Sequence, residues 1–555
     1  MPSTMADTTV AEVESFLDTG IAAITGLIPM IWVQSKTSPV QFLVGGIVVL
    51  LSYLFLAISP PHDPSEPPII KPKFPVIGHL FGLLNHQVNY FSELFKRNHL
   101  PIATLPIGSQ KLYVIFDAPL QQAALKSKDM DAQSFMVDFV PRIFGVKQGT
   151  VDKLLGKDGV HPNIMGDMEH VFKSALSGDN LQKLASTTLA TMADTLNDVD
   201  AKKGTKIPNM FLWLQSLLSR STSKALWGET YNPFKDDRVI DAQWDFESHM
   251  GPLVLGFLPS IIARRAYLAR NKVQSALLPY FSARHYETDP STSYFIRART
   301  RLLKKYDLPD DELAKNEVAI TLVATTNVLS TLFWCIAEIW TRPDLLQQIR
   351  AEALLAVFGD SQKELSGDDM GTRTITIPAA GLDARCPLLA SCFRESIRLA
   401  SQIVTARRVL KDTMLTDPVS GNSYLLMADT NVMMPAKVVH RNTAVWGADA
   451  EGFNPRRFMW EELGPKVERQ RKAAFVPFGG GKHMCPGRHF AFTENLALMA
   501  ALAIGFDIEG LDKNKLRMGD SKRGETAKPL PGLEGGQVVL KKRKGWEGVK
   551  WEFSC

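Results

Sequence analysis

The sequence predicts a mainly α-helical domain with small β-sheets, preceded by an N-terminal transmembrane helix. Three observations carry that prediction: an uncharged apolar run at 40–58, a helical pattern of roughly 30 residues opening at Leu308, and strand-like runs between about 404 and 435. The first anchors the chain, the second sets the class, and the third limits the sheet to a minor role.

The apolar run, VQFLVGGIVVLLSYLFLAI from Val40 to Ile58, has about the ~20 residues that cross a bilayer core. A buried core helix is the alternative. Hydrophobicity on all sides, directly before a proline-rich stretch, favours a retained span. The acidic sequence upstream separates it from a cleaved signal peptide. An earlier run, Gly20 to Val33, is shorter and contains Pro29, so an interfacial segment and a second span both stay open. Repeated prolines from Pro60 to Leu80 cannot continue the membrane helix and read as a semi-rigid hinge. Asp7, Glu12, Glu14 and Asp18 precede the span and Lys71 and Lys73 follow it, which places the body of the chain in the cytosol. The division expected is therefore an N-terminal segment at 1–39, an anchor at 40–59, a hinge at 60–79 and one large domain at 80–555.

Composition fits a globular body: 45% of the 555 residues are apolar and 22% charged. A net charge of +5, with bases interspersed among acids, gives no footprint for nucleic acid. The five cysteines, at 335, 386, 392, 485 and 555, are odd in number and lack paired metal spacing, so neither a disulfide framework nor a zinc site is expected.

The clearest helix opens at Leu308-Pro309-Asp310-Asp311-Glu312, with acids in its first turn complementing the macrodipole, and runs to about Thr341. At that length it would span ~45 Å, the width of a domain. A second starts near Pro343 and a third covers Leu388 to Ala400. Strand-like runs such as Tyr424 to Met427 follow turn residues Gly421 and Asn422.

The segment FVPFGGGKHMCPGRHFA, Phe475 to Ala491, sets Phe478, Gly481, Cys485 and Gly487 in the pattern F-x-x-G-x-x-x-C-x-G. Glycines allow a tight loop whose backbone approaches a flat group, and nearby amides can donate to a thiolate. Upstream, Glu395 and Arg398 form E-x-x-R on one helical face, a weak signal alone. Phe453 to Phe458, FNPRRF, follows in order. Together these segments resemble the cytochrome P-450 family, from residue 60 onward.

The resemblance implies a single mainly helical domain holding haem b, with Cys485 as the axial ligand of the iron and Phe478, Gly481 and Gly487 shaping its loop. It also implies a buried structural triad of Glu395, Arg398 and Arg457, and haem-propionate contacts from Arg407 and His483. Arg456 replaces an acid common in the family, outside the triad. On the long helix, register on Trp334 puts Asn327 where the family usually has an oxygen-side threonine and Thr326 where it has an acid. Asn327 in that place is similar to the cholesterol 7α-hydroxylase, sterol 12α-hydroxylase and prostacyclin synthase group. Its amide could still donate, a shifted register using Thr325 or Thr326 stays open, and so does a structural role. The run Lys466 to Lys472 is a candidate docking face for an electron donor, or an ordinary solvated loop.

The implied activity is insertion of one atom of O2 into a hydrophobic substrate, a sterol, terpenoid or related specialised metabolite. Electrons would come from NADPH through a membrane-bound reductase, with cytochrome b5 as a further candidate donor. Location in the endoplasmic reticulum membrane follows, with a single-pass anchor, a cytosolic catalytic domain and no nucleic-acid partner. Some sequence habits, including VVHRNTAVWG, resemble fungal members. Two rivals remain: a haem-thiolate isomerase or dehydratase that needs neither O2 nor reductase, favoured by Asn327, and a haem protein that only binds a small ligand. Segments 130–165, 205–260 and 526–535 are expected to line the substrate pocket.

Overall fold

Asp310, Asp311 and Glu312 do open the long helix, which runs from Asp310 to Trp340. The computed structural model describes residues 45–49, 61–73, 77–359, 373–521 and 524–555. Of the expected anchor only 45–49 is described, as helix, with Ile47, Val48 and Val49 exposed. The rest of it, and the run at 20–33, lie outside the described residues.

The helices that frame the site are α1 (Ala118–Lys126), α2 (Met165–Ala175), α3 (Met210–Trp227), α4 (Asp310–Trp340), α5 (Pro387–Ala400) and α6 (Arg488–Gly505). Among the described residues, α4 is the one helix long and apolar enough to cross a membrane, but 72% of its most apolar window is buried inside the domain. It is a core helix, packed against α3 on one side and α5 on another. The Trp227 indole, at the end of α3, donates to the Thr321 hydroxyl on α4 at 3.0 Å and fixes that crossing. α5 buries twelve residues from Leu388 to Ala400 and lies between α4 and α6. The C-terminal half of α6, Leu496 to Gly505, is fully enclosed, and its alanines let neighbouring helices approach closely.

Sheet is confined to small pieces. The largest contains β1 (Ile102–Ile107), β2 (Gln110–Ile115), β3 (Met130–Asp131), β4 (Val404–Val409) and β5 (Asn431–Pro435), in the order β1-β2-β5-β4-β3. Only the β2–β5 pair in it is parallel. The strand-like run at Tyr424 forms as Ser423–Leu426, paired in a hairpin with Thr413–Thr416, and Gly421 in the turn takes φ +77°. Part of the proline-rich stretch is fastened to the sheet: Ile70 donates to Thr104 O at 3.1 Å and Thr104 donates to Pro68 O at 2.9 Å. The buried Glu66 carboxylate accepts from Tyr113 Oη and Lys111 Nζ beside it.

Candidate functional site

A cavity of about 560 Å³ lies between α4 and the loop ahead of α6. Val323, Ala324, Asn327 and Val328 of α4 form one wall, and Phe478, Cys485, Pro486 and Gly487 form the other. The arrangement follows from local sequence. The Cys485 N–H donates to Phe478 O at 2.9 Å and closes the loop, and Gly487 then starts α6.

At Cys485 the backbone N–H groups of Gly487 and Arg488 point to the sulfur. Burial pushes its thiol up, and those amides together with the Arg488 guanidinium pull it back down. Cys335 and Cys386 show what burial does without that help, since both thiols are pushed up to about 12. Neither reaches the cavity.

Gly481 is also held to glycine by its own backbone and by a neighbouring helix. Its φ is +62°, and a Cβ built on it would sit 1.9 Å from the Leu125 carbonyl oxygen of α1. The approach of α1 alone leaves no room for a side chain at this position. Gly487 has φ −79°, and its nearest contact to an added Cβ is the Cys485 sulfur at 3.9 Å.

Arg407, on β4, is 5% exposed, borders the cavity, and donates only to the neighbouring Ala406 carbonyl at 2.9 Å. It forms no ion pair among the described residues. Burial works against its charge, with Asp131 opposing that effect. His483 also borders the cavity, with Nε2 3.5 Å from Asp131 Oδ1; burial and Arg407 lower its pKa. A buried guanidinium facing an apolar cavity without a carboxylate partner is suited to an anionic group carried on the ligand.

Among the described residues no set of three His, Cys, Asp or Glu side chains converges on a point. A metal held at Cys485 therefore has to arrive with its other donors, as iron does in haem. The amide-flanked sulfur, the unpaired Arg407 and the apolar walls fit that cofactor.

The opposite wall divides the α4 candidates. Asn327 reaches the cavity, where its Oδ1 accepts from Thr526 N and Oγ1. Thr326 does not reach it. Its hydroxyl donates back to Leu322 O at 2.8 Å and the residue is buried off the cavity, because its helical position turns it toward neighbouring helices. Thr325 is likewise tied to Thr321 O at 2.9 Å, so a shifted register brings neither threonine to the site. The expected lining segments contribute little: Thr222, Leu226 and Thr526 belong to them, whereas Phe172, Leu176, Leu184 and the 401–407 stretch do not.

Behind the loop, Glu395, Arg398 and Arg457 form one buried cluster. Arg398 Nε donates to Glu395 Oε2 at 2.7 Å and its Nη2 to Oε1 at 2.8 Å, while Arg457 Nε donates to Oε1 at 2.8 Å. Arg398 also donates to the His440 and Ala450 carbonyls, and Arg457 to those of Trp446 and Asp449. The basic run at 466–472 is helical, within Pro465–Ala474. Arg471 turns inward onto Arg457 O, leaving Lys466 and Arg469 exposed.

His440 was not singled out from the sequence, where one histidine among apolar residues carries no distinctive pattern. It is fully buried and joins the cluster to the loop, since its carbonyl accepts from Arg398 while Nε2 accepts from Val476 N at 3.1 Å. Burial, then Arg398 and Arg441, lower its pKa from 6.5 to about 3, so it is neutral when folded. The unfolded chain therefore binds one more proton between those values, and stability present above pH 6.5 is lost as pH falls. Urea unfolding should show His440 accounting for about 2 kcal/mol of loss between pH 7 and pH 5, a difference absent from His440→Gln. Glu494 on α6 is also fully buried, and burial alone pushes its carboxyl well above the usual range.

A family model described as cytochrome P-450 matches residues 67–532. A protein of Gibberella zeae described as a cytochrome P-450 monooxygenase is 33% identical over 513 residues, covering 91% of this chain and 94% of its own. The cytochrome P-450 monooxygenase nodJ of Hypoxylon pulicicidum is 28% identical, covering 88% and 92%. The 5-beta-cholestane-3-alpha,7-alpha-diol 12-alpha-hydroxylase of Sus scrofa is 22% identical, covering 84% and 91%.

Proposed function

The chain belongs to the cytochrome P-450 family, and from that premise we propose that it is a membrane-anchored monooxygenase. It inserts one oxygen atom from O2 into an apolar polycyclic substrate, a sterol, terpenoid or related specialised metabolite, with electrons from NADPH through a reductase. The observation that carries the reading is the Cys485 sulfur on the cavity wall, approached by the Gly487 and Arg488 amides, with Asn327 on the wall opposite.

Haem held through Cys485 supplies thiolate-supported activation of dioxygen. Phe478, Gly481 and Gly487 shape the loop that presents the sulfur, and Arg407 and His483 take the propionates. Glu395, Arg398 and Arg457 hold the segment leading into that loop. Asn327 offers its amide on the oxygen side, and Thr326 serves the helix, not the reaction. Phe172, Leu176 and Val328 exclude water and favour an apolar ligand. The sterol class is supported by these walls and by likeness to the Sus scrofa 12-alpha-hydroxylase. Oxygen insertion is favoured over isomerisation because the relatives are described as monooxygenases and hydroxylases.

Location at the endoplasmic reticulum membrane is supported by Leu255, Phe257 and Ile261, each 66–70% exposed in one short stretch between two helices. Such a surface is suited to lipid. Segment 40–59 would be the anchor and 80–555 the catalytic domain. Exposed Lys466 and Arg469 offer an acidic reductase, or cytochrome b5, a basic face.

The reduced protein under carbon monoxide should give the thiolate-type difference band, and Cys485→Ala should lose it. Turnover should need both NADPH and a reductase; product formed without either would sink the reading. Titration with sterols and terpenoids, followed by the spin-state shift, identifies the substrate class.

A further inference from the structure

Asn327 stands on the cavity wall, yet half of its amide is already engaged. Its Oδ1 accepts from the Thr526 backbone N–H at 3.0 Å and from the Thr526 hydroxyl at 2.9 Å. A backbone N–H can only donate, so the atom facing it has to be the amide oxygen and the orientation of the side chain is determined. Nδ2 is left as the other terminus, with no hydrogen bond among the described residues.

Thr526 is itself held in place. It is 4% exposed, and the backbone on either side of it is fixed. Ala527 N donates to Ala400 O at the end of α5 at 2.8 Å, and Gln402 N donates to Glu525 O at 3.3 Å. The Trp334 indole, seven residues beyond Asn327 on α4, donates to Ala527 O at 2.8 Å. Two residues on, Lys528 pairs with the buried Glu247 and lies 5.6 Å from the Trp244 ring centroid. Thr526 is thus pinned to the helices bounding the cavity and cannot follow the Asn327 side chain if that side chain turns.

We propose that Thr526 is a positioning residue that commits Asn327 to act only as a hydrogen-bond donor, through Nδ2, in the cavity it shares with Cys485. The proposal rests on the haem-thiolate reading of that cavity. Its recognised partner is an acceptor atom, the outer atom of a diatomic ligand. Without Thr526 the amide would present either its donor or its acceptor end.

The test is the infrared C–O stretch of the full haem-loaded chain, reduced under carbon monoxide without substrate. Donation to the outer oxygen lowers that frequency, so wild type and Thr526→Ser should share one low band and Asn327→Leu should show only a higher one. Thr526→Val keeps the backbone donor and loses the hydroxyl, so a higher band that wild type lacks should appear beside the low one. A Thr526→Val spectrum indistinguishable from wild type, or an unshifted band in Asn327→Leu, overturns the proposal. Asn327→Asp keeps an acceptor toward Thr526 and removes the donor, and should match Asn327→Leu; a wild-type band there also overturns it, even if Thr526→Val does not fold. Absence of the thiolate-type band from wild type would instead remove the underlying reading, before any variant is compared.

Discussion

Replacing Glu395 by alanine is expected to cost the domain about 3–5 kcal/mol and to leave little folded protein able to retain haem. Glu395 and Arg398 are fully buried and Arg457 is 2% exposed, so removing the carboxylate leaves the Arg398 guanidinium without an anionic partner among the described residues, while Arg457 keeps only Asp449. A loss of that size is a large share of the roughly 5–15 kcal/mol that holds a typical domain together. Glu395→Gln keeps the shape but not the charge, and should fall between wild type and alanine. Arg398→Lys should be nearly as harmful as alanine, because one ammonium cannot meet both Glu395 oxygens and the carbonyls of His440 and Ala450. Soluble yield and urea unfolding of the haem-free protein measure these losses without reference to turnover.

Gly481→Ala is expected to destabilise by about 3 kcal/mol and to convert much of the thiolate-type band to an inactive form. A left-handed backbone costs an alanine ~1–2 kcal/mol. The added Cβ must also displace the Leu125 carbonyl, which it would meet at 1.9 Å. The loop can move only by shifting Cys485, four residues on, whose N–H is bonded to Phe478 O. Gly487→Ala is the control: φ is −79° and nothing lies closer than 3.9 Å, so its stability should change by less than about 1 kcal/mol. Equal losses at both positions, in thermal unfolding and in the carbon monoxide spectrum, would contradict this account.

What could be read from the sequence was whatever is encoded at short range. Acids in the first turn marked the start of α4, and the structure begins it at Asp310. The turn residues Gly421 and Asn422 marked the edge of the strand that runs from Ser423 to Leu426. Glu395 and Arg398 are one helical turn apart, and the bond between them follows from that spacing. Three-dimensional neighbours left no such mark. Thr526 and Asn327 are 199 positions apart, and nothing local in either segment names the other. His440 looked like any core histidine until Arg398 and Val476 were found on either side of it. The cavity wall at Phe172, Leu176 and Leu184 was missed because apolar residues at helical spacing have the same pattern whether they face a ligand or a neighbouring helix. Register along α4 gives sequence position, whereas the facing helices decide which side meets the cavity, and Thr326 is not on that side.

The Arg398 guanidinium grips carbonyls at 440, 450 and 452, and Arg457 those at 446, 449 and 452. Two rigid forks therefore measure out the chain from His440 to Gly452 by backbone atoms, whatever side chains it carries. That stretch should accept substitution far more readily than any change in length. One residue inserted there would put several carbonyls out of step at once, so a chimera joined within 440–452 has to conserve the residue count even where it conserves no residue.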